Sequence, residues 1–139
     1  MDIKTLLSDD TLSIDEAYHF VQDERYGGTC LFIGSARRIT GDQITAALEF
    51  ESFESMAIKE MNRIAREVVN RFGPGKCFIS HLKGRVEPPG VVVIIAVATA
   101  HRKAAFQACQ WAIDTLKTSV PIWKKEILED GSYWVNAHP

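Results

Sequence analysis

The chain has 139 residues, 46% of them hydrophobic and 24% charged, with a formal net charge of −2. That is the size of one domain, with enough apolar surface to close a core without disulfides or a structural metal. So small a net charge excludes a broad electrostatic footprint for DNA or RNA, and any anion site has to be a local cluster of basic residues.

In chain order, Ser13-Ile14-Asp15-Glu16 has the pattern of a capping box, and a helix to about Asp23 follows, ended by Tyr26-Gly27-Gly28. Thr29 to Ala36 is rich in strand formers, and Gly34 inside it predicts a bulge or a close approach by another segment. Thr40-Gly41-Asp42 is a turn, and Gln43 to Phe53 alternates as a returning strand. Residues 29–53 therefore read as an antiparallel pair with Arg37 near its tip. Glu54 to Phe72 is the clearest helix, with Ala57, Met61, Ile64, Ala65 and Val68 in its apolar stripe; Gly73-Pro74-Gly75 stops it. Lys76 to Lys83 reads as a strand. Val91 to Thr99 is a continuous β-branched run, as expected of a central strand covered on both faces. A helix then runs from His101-Arg102 to Lys117, with Ala105, Ala108, Cys109, Ala112, Ile113 and Leu116 inward. A strand from Pro121 to Leu128, a turn at Asp130-Gly131-Ser132 and a short Tyr133-Trp134-Val135 segment complete the order α-ββ-α-ββ-α-ββ. This is an α+β pattern with a mostly antiparallel sheet and three main helices.

Cys30, Cys77 and Cys109 each sit in an apolar run with no CxxC, so they read as buried free thiols. The four histidines lack metal-ligand spacing, and no metal or cofactor is expected. The longest apolar run, Val91 to Ala98, is too short to span a bilayer, and the acidic N-terminus lacks a signal-peptide core. These features predict a cytoplasmic protein. No Ser-His-Asp set, P-loop or GxGxxG is present.

The chemistry concentrates between His101 and Glu126. Lys117 and Lys124 lie across a helix end and a proline turn. Read alone they are either two surface lysines or two amines converging on one pocket, where neighbouring cations and apolar walls would adapt an amine to acid, base or nucleophile work. Lys125 should face away from Lys124 if the segment is a strand. His101 and Arg102 stand where a helix begins, as an anion grip or as a cap with a solvated arginine. Arg37 carries the same two readings. His81, Lys83 and Arg85 read as surface or subunit-contact residues, and Glu51 as an ion-pair partner.

Taken together, Leu116-Lys117-Thr118-Ser119-Val120-Pro121-Ile122-Trp123-Lys124-Lys125-Glu126, with His101-Arg102 upstream, resembles the large subunit of molybdopterin synthase, the MoaE family. Phe32 to Arg37, Leu48 to Phe53 with Met56-Ala57, Ile79-Ser80-His81 with Gly84, Asp130-Gly131 and Trp134-Val135 match further family blocks in order, from about residue 12 to 137. The resemblance implies an α/β-hammerhead fold over one domain, residues 1–139, and a homodimer. Each protomer of such a dimer binds a small ubiquitin-like partner, whose C-terminal Gly-Gly thiocarboxylate donates sulfur to cyclic pyranopterin monophosphate (precursor Z), making the dithiolene of molybdopterin. By position, Lys117 and Lys124 match the family's catalytic lysines. Arg37, His101 and Arg102 match its substrate pocket, with Ser35, Ala36, Lys125 and Glu126 beside them. Three positions depart from the family pattern: Leu82 replaces an arginine, Pro89-Gly90 replaces a Gly-Glu/Asp pair, and His138 stands where many members carry an arginine that reaches the neighbouring protomer. The competing reading is a non-catalytic dimeric module that binds an anionic ligand or a protein tail. Retention of both lysines with Arg37 and His101-Arg102 argues against it.

Overall fold

A computed structural model describes residues 1–136. The elements are β1 (Ile3–Ser8), α1 (Ile14–Val21), β2 (Gly28–Ser35), β3 (Ile39–Thr40), β4 (Gln43–Ser52), α2 (Glu54–Phe72), β5 (Gly75–Leu82), β6 (Gly84–Val86), β7 (Val91–Thr99), α3 (Arg102–Ser119), β8 (Ile122–Leu128) and β9 (Tyr133–Asn136). The three expected helices are present, and the class is α+β. Ser13 caps α1, its side chain accepting a hydrogen bond from the Glu16 amide at 3.1 Å.

Four strands make one sheet in the order β1-β5-β7-β2. β7 is central, as its unbroken apolar sequence predicts, and Ile94 to Ala98 are fully buried. Each fully buried Ile or Val contributes roughly 1.5–3 kcal/mol. Phe20 of α1 packs on Phe78 of β5, ring centroids 6.1 Å apart. Thr5 of β1, in register with Ile79, hydrogen-bonds Asn62 of α2 at 2.9 Å. Neighbouring residues on a strand face opposite ways, so α1 covers one face of the sheet and α2 the other. α3 lies beside α2, with Phe72 near Trp111 at 6.2 Å. The alanine face of α3 is buried against the sheet as expected.

The second sheet runs β3-β4-β8-β9, with β6 also paired to β4. This corrects the expected antiparallel pair over residues 29–53. β2 pairs with β7 in the first sheet, and β4 pairs with β8 in the second. The chain leaves the first sheet at a bulge between Gly34 and Ser35, where the Ala36 amide donates to the Gly90 carbonyl at 2.8 Å. Only the two-residue β3 pairs back onto the start of β4 around the predicted turn. β1 was not expected. It is an edge strand parallel to β5, half-buried throughout, and its short mixed sequence carries no alternation. Cys77 and Cys109 are buried and Cys30 is half-buried, all as free thiols. No helix among the described residues is long and apolar enough to cross a membrane.

Candidate active site

The junction of the two sheets and α3 encloses a cavity of about 550 Å³, within the size range of small-molecule sites. Each element delivers its side chain for a local reason. Gly34 lets β2 run against β7: a Cβ built there would lie 2.6 Å from Cγ1 of Val93. The bulge that follows turns Ser35 and Arg37 to the cavity. Arg37 Nε donates to Thr40 Oγ1 at 3.2 Å, leaving both terminal NH2 groups for an anion. Lys117 comes from the last turn of α3. The Val120–Pro121 connection then leads directly into β8, whose residue Lys124 faces the same space. Trp123 is locked edge-on against Phe53, centroids 4.8 Å apart and planes at 81°, which fixes this stretch of β8.

Lys124 and Glu126, two apart on a strand, share a face. Glu126 Oε1 accepts a hydrogen bond from Thr45 Oγ1 at 2.6 Å, so the carboxylate is held in place. Three cations (Arg37, Lys117 and Lys124) thus line the cavity with one carboxylate. None of the three forms an ion pair with a described residue. The site therefore suits an anion and can offset negative charge that develops on oxygen or sulfur.

The expected residues do not all meet. Ser35, Arg37, Lys117, Lys124 and Glu126 line the cavity. Ala36 is buried beside it and acts through its backbone. Lys125 faces away, as its place on a strand predicts, with Nζ 4.3 Å from the centroid of Tyr133. His101 and Arg102 are exposed at the far end of α3, about 24 Å from Lys117 at 1.5 Å rise per residue. His101 is the N-cap residue, but its side chain makes no capping bond; its carbonyl accepts from Thr99 Oγ1 at 2.7 Å. His138 lies outside the described residues.

His81 is a correction. Expected at the surface or in a subunit contact, it is 1% exposed and lines the cavity. Nδ1 donates to the Leu82 carbonyl at 2.7 Å, and Phe50 packs edge-on at 5.1 Å. Burial pushes its pKa down to about 4, so the ring is neutral near pH 7. Lys83 and Arg85 are surface residues as expected, paired with Glu54 and Glu49. Glu51 is exposed and pairs with no described residue, against the expectation of an ion pair. Leu82 is buried in the core, where an arginine would need a partner.

Comparison with known proteins identifies the family. The family model described as MoaE protein matches residues 7–119. The molybdopterin synthase catalytic subunit of Pyrococcus abyssi is 35% identical over 123 residues, covering 88% of this chain and 83% of that protein. That of Bacillus subtilis is 38% identical over 115 residues, covering 83% and 73%. The crystal structure of molybdopterin synthase from Staphylococcus aureus superposes with a TM-score of 0.90 at 32% identity, over 95% of this chain and 96% of that one. A protein–protein complex of subunits 1 and 2 of the molybdopterin-converting factor from Helicobacter pylori shares the fold, at a TM-score of 0.77 and 19% identity over 97% and 93% of the two chains. The chain belongs to the MoaE family, the molybdopterin synthase catalytic subunits.

Proposed function

We propose that this chain transfers sulfur from the C-terminal thiocarboxylate of a small ubiquitin-like partner to cyclic pyranopterin monophosphate, and that it does so in the cavity bounded by Lys117 and Lys124. The observation that carries this reading is the convergence of Lys117, Lys124 and Arg37 on one cavity from three different elements. Arg37 grips the phosphate or the partner's carboxylate-like terminus. Lys117 and Lys124 protonate departing oxygens and stabilise the thiocarboxylate and the oxyanions that form during transfer. Sulfur arrives on the partner, so no reactive thiol is needed here. Burial raises the pKa of both Cys77 and Cys109, the latter to about 12, which leaves them poor nucleophiles.

His101 and Arg102 belong to this mechanism only through a second copy of the chain. The separation of the two ends of α3 supports a homodimer in which one protomer's helix start completes its partner's cavity. Lys125, on the outer face of β8, then supports the strand rather than touching substrate.

The test is reconstitution with an authenticated thiocarboxylated partner and the cyclic monophosphate precursor. Dithiolene-bearing product is expected, made by an assembly that sediments as two copies of each chain. An assembly that forms but yields no product would favour the non-catalytic binding module.

A further inference from the structure

Among the polar side chains that line the cavity, His81 is the one that is buried. Ser35, Arg37, Thr40 and Lys117 are exposed, and Lys124 and Glu126 are half-buried. The charged groups therefore form the rim. The floor is apolar, made by Leu48, Phe50, Val93, Ile113 and Leu116, each less than a tenth exposed. His81 is the single titratable group in that floor. A carbonyl cannot donate, so the 2.7 Å contact with the Leu82 oxygen places the imidazole proton on Nδ1 and the lone pair on Nε2. The edge-on Phe50 ring, at 80° to the imidazole, holds its plane. Nε2 has no hydrogen-bond partner among the described residues, and His81 lines the cavity. Nε2 is thus a fixed acceptor with no described partner, on a residue of the cavity floor.

We propose that His81 is a positioning residue for the substrate, its Nε2 accepting a hydrogen bond from an N–H or O–H donor on the part of the molecule that enters the apolar floor. The anionic part stays at the rim with Arg37, Lys117 and Lys124. This rests on the sulfur-transfer reading, in which the substrate joins a phosphate to a pterin ring that carries N–H donors. The neutral ring matters: an imidazolium would offer no acceptor. Apolar walls and one fixed acceptor then set the heterocycle's orientation, while the cations act on the other end.

The experiment measures turnover of the cyclic monophosphate by the partner-loaded complex and, separately, its binding by calorimetry. His81→Phe keeps an aromatic ring and removes the acceptor. It is expected to raise KM and the dissociation constant about tenfold, with kcat within about twofold. His81→Gln, whose amide oxygen reaches the Nε2 position, is expected to recover most of the affinity. If His81→Phe does not fold, the comparison is between His81→Gln and His81→Asn, which falls short of that position; Gln should bind more tightly. Unchanged KM in His81→Phe, or equal affinity for Gln and Asn, overturns the proposal. Wild-type complex that binds the precursor without turning it over contradicts the transfer reading and leaves the binding comparison to decide on His81. Wild-type complex that does not bind it overturns both.

Discussion

Lys124 and Glu126 face the cavity and Lys125 does not, because β8 is extended and side chains alternate along it. That much follows from the residues once the strand is recognised. The convergence of Lys117 and Lys124 was an open alternative in the sequence, because a lysine pair across a turn carries no signal of which way each amine points. His81 was singled out only as part of a matching block, and its place in the cavity was not legible. It sits in an apolar run, Phe78 to Leu82, and its burial is balanced by a hydrogen bond to the carbonyl of the next residue. No spacing rule reports such a bond. Its burial has a measurable consequence. The folded chain holds His81 at about 4, below its ordinary 6.5. Between those values the unfolded chain binds a proton that the folded chain does not, so stability rises with pH across the window and is lost as the pH falls from about 6.5 towards 4. Between about pH 7 and 4.5 the loss from this one group is about 2–3 kcal/mol. Asp23, held low by hydrogen bonds from Arg25, loses its stabilisation only as the pH falls below its ordinary 3.8, outside the window. Urea unfolding at the two pH values should show a smaller loss in His81→Phe than in the wild type; equal losses would contradict the assignment.

At the scale of elements, α2 was legible to its end residues, since a nineteen-residue apolar stripe closed by Gly-Pro-Gly has one reading. α3 and the central β7 were equally plain. The pairing of strands was not. β2 and β4 are adjacent in sequence and joined by a turn, which is the usual signature of a hairpin, but the bulge at Gly34 and Ser35 sends them into different sheets. Pairing of Ser35 with Val91 at the start of β7 and the hydrogen bond from the Ala36 amide to the Gly90 carbonyl decide this, and both partners are distant in sequence. Placement of α3 depends on Gly28 in a way that the sequence also hid. A Cβ there would lie 2.7 Å from the His101 carbonyl carbon and the Arg102 amide nitrogen, so the helix start rests directly on β2. Those are backbone atoms with little room to yield. Gly28→Ala is expected to cost about 2–3 kcal/mol, read as a lower urea midpoint at unchanged slope. A midpoint within error of the wild type would mean that α3 is not seated there.

At the scale of the whole molecule, the cavity exists because two sheets and one helix end meet. The first sheet is covered on both faces by helices. The second sheet brings Lys124 and Glu126 to it, and α3 brings Lys117. The same helix carries His101 and Arg102 away from that junction, so the residues singled out by resemblance divide into two groups in one protomer. Family resemblance supplied the set of residues, and the fold separates those that line one cavity from His101 and Arg102, which we propose act through a second copy of the chain. The proposed transfer depends on Lys117 and Lys124 as the working amines. The most direct measurement is the single-turnover rate of product formation by Lys117→Ala and by Lys124→Ala, each loaded with the thiocarboxylated partner and the cyclic monophosphate. The rate is predicted to fall by about 10²–10⁴-fold in each variant, with assembly of the complex intact. Wild-type rates in both variants would contradict the account.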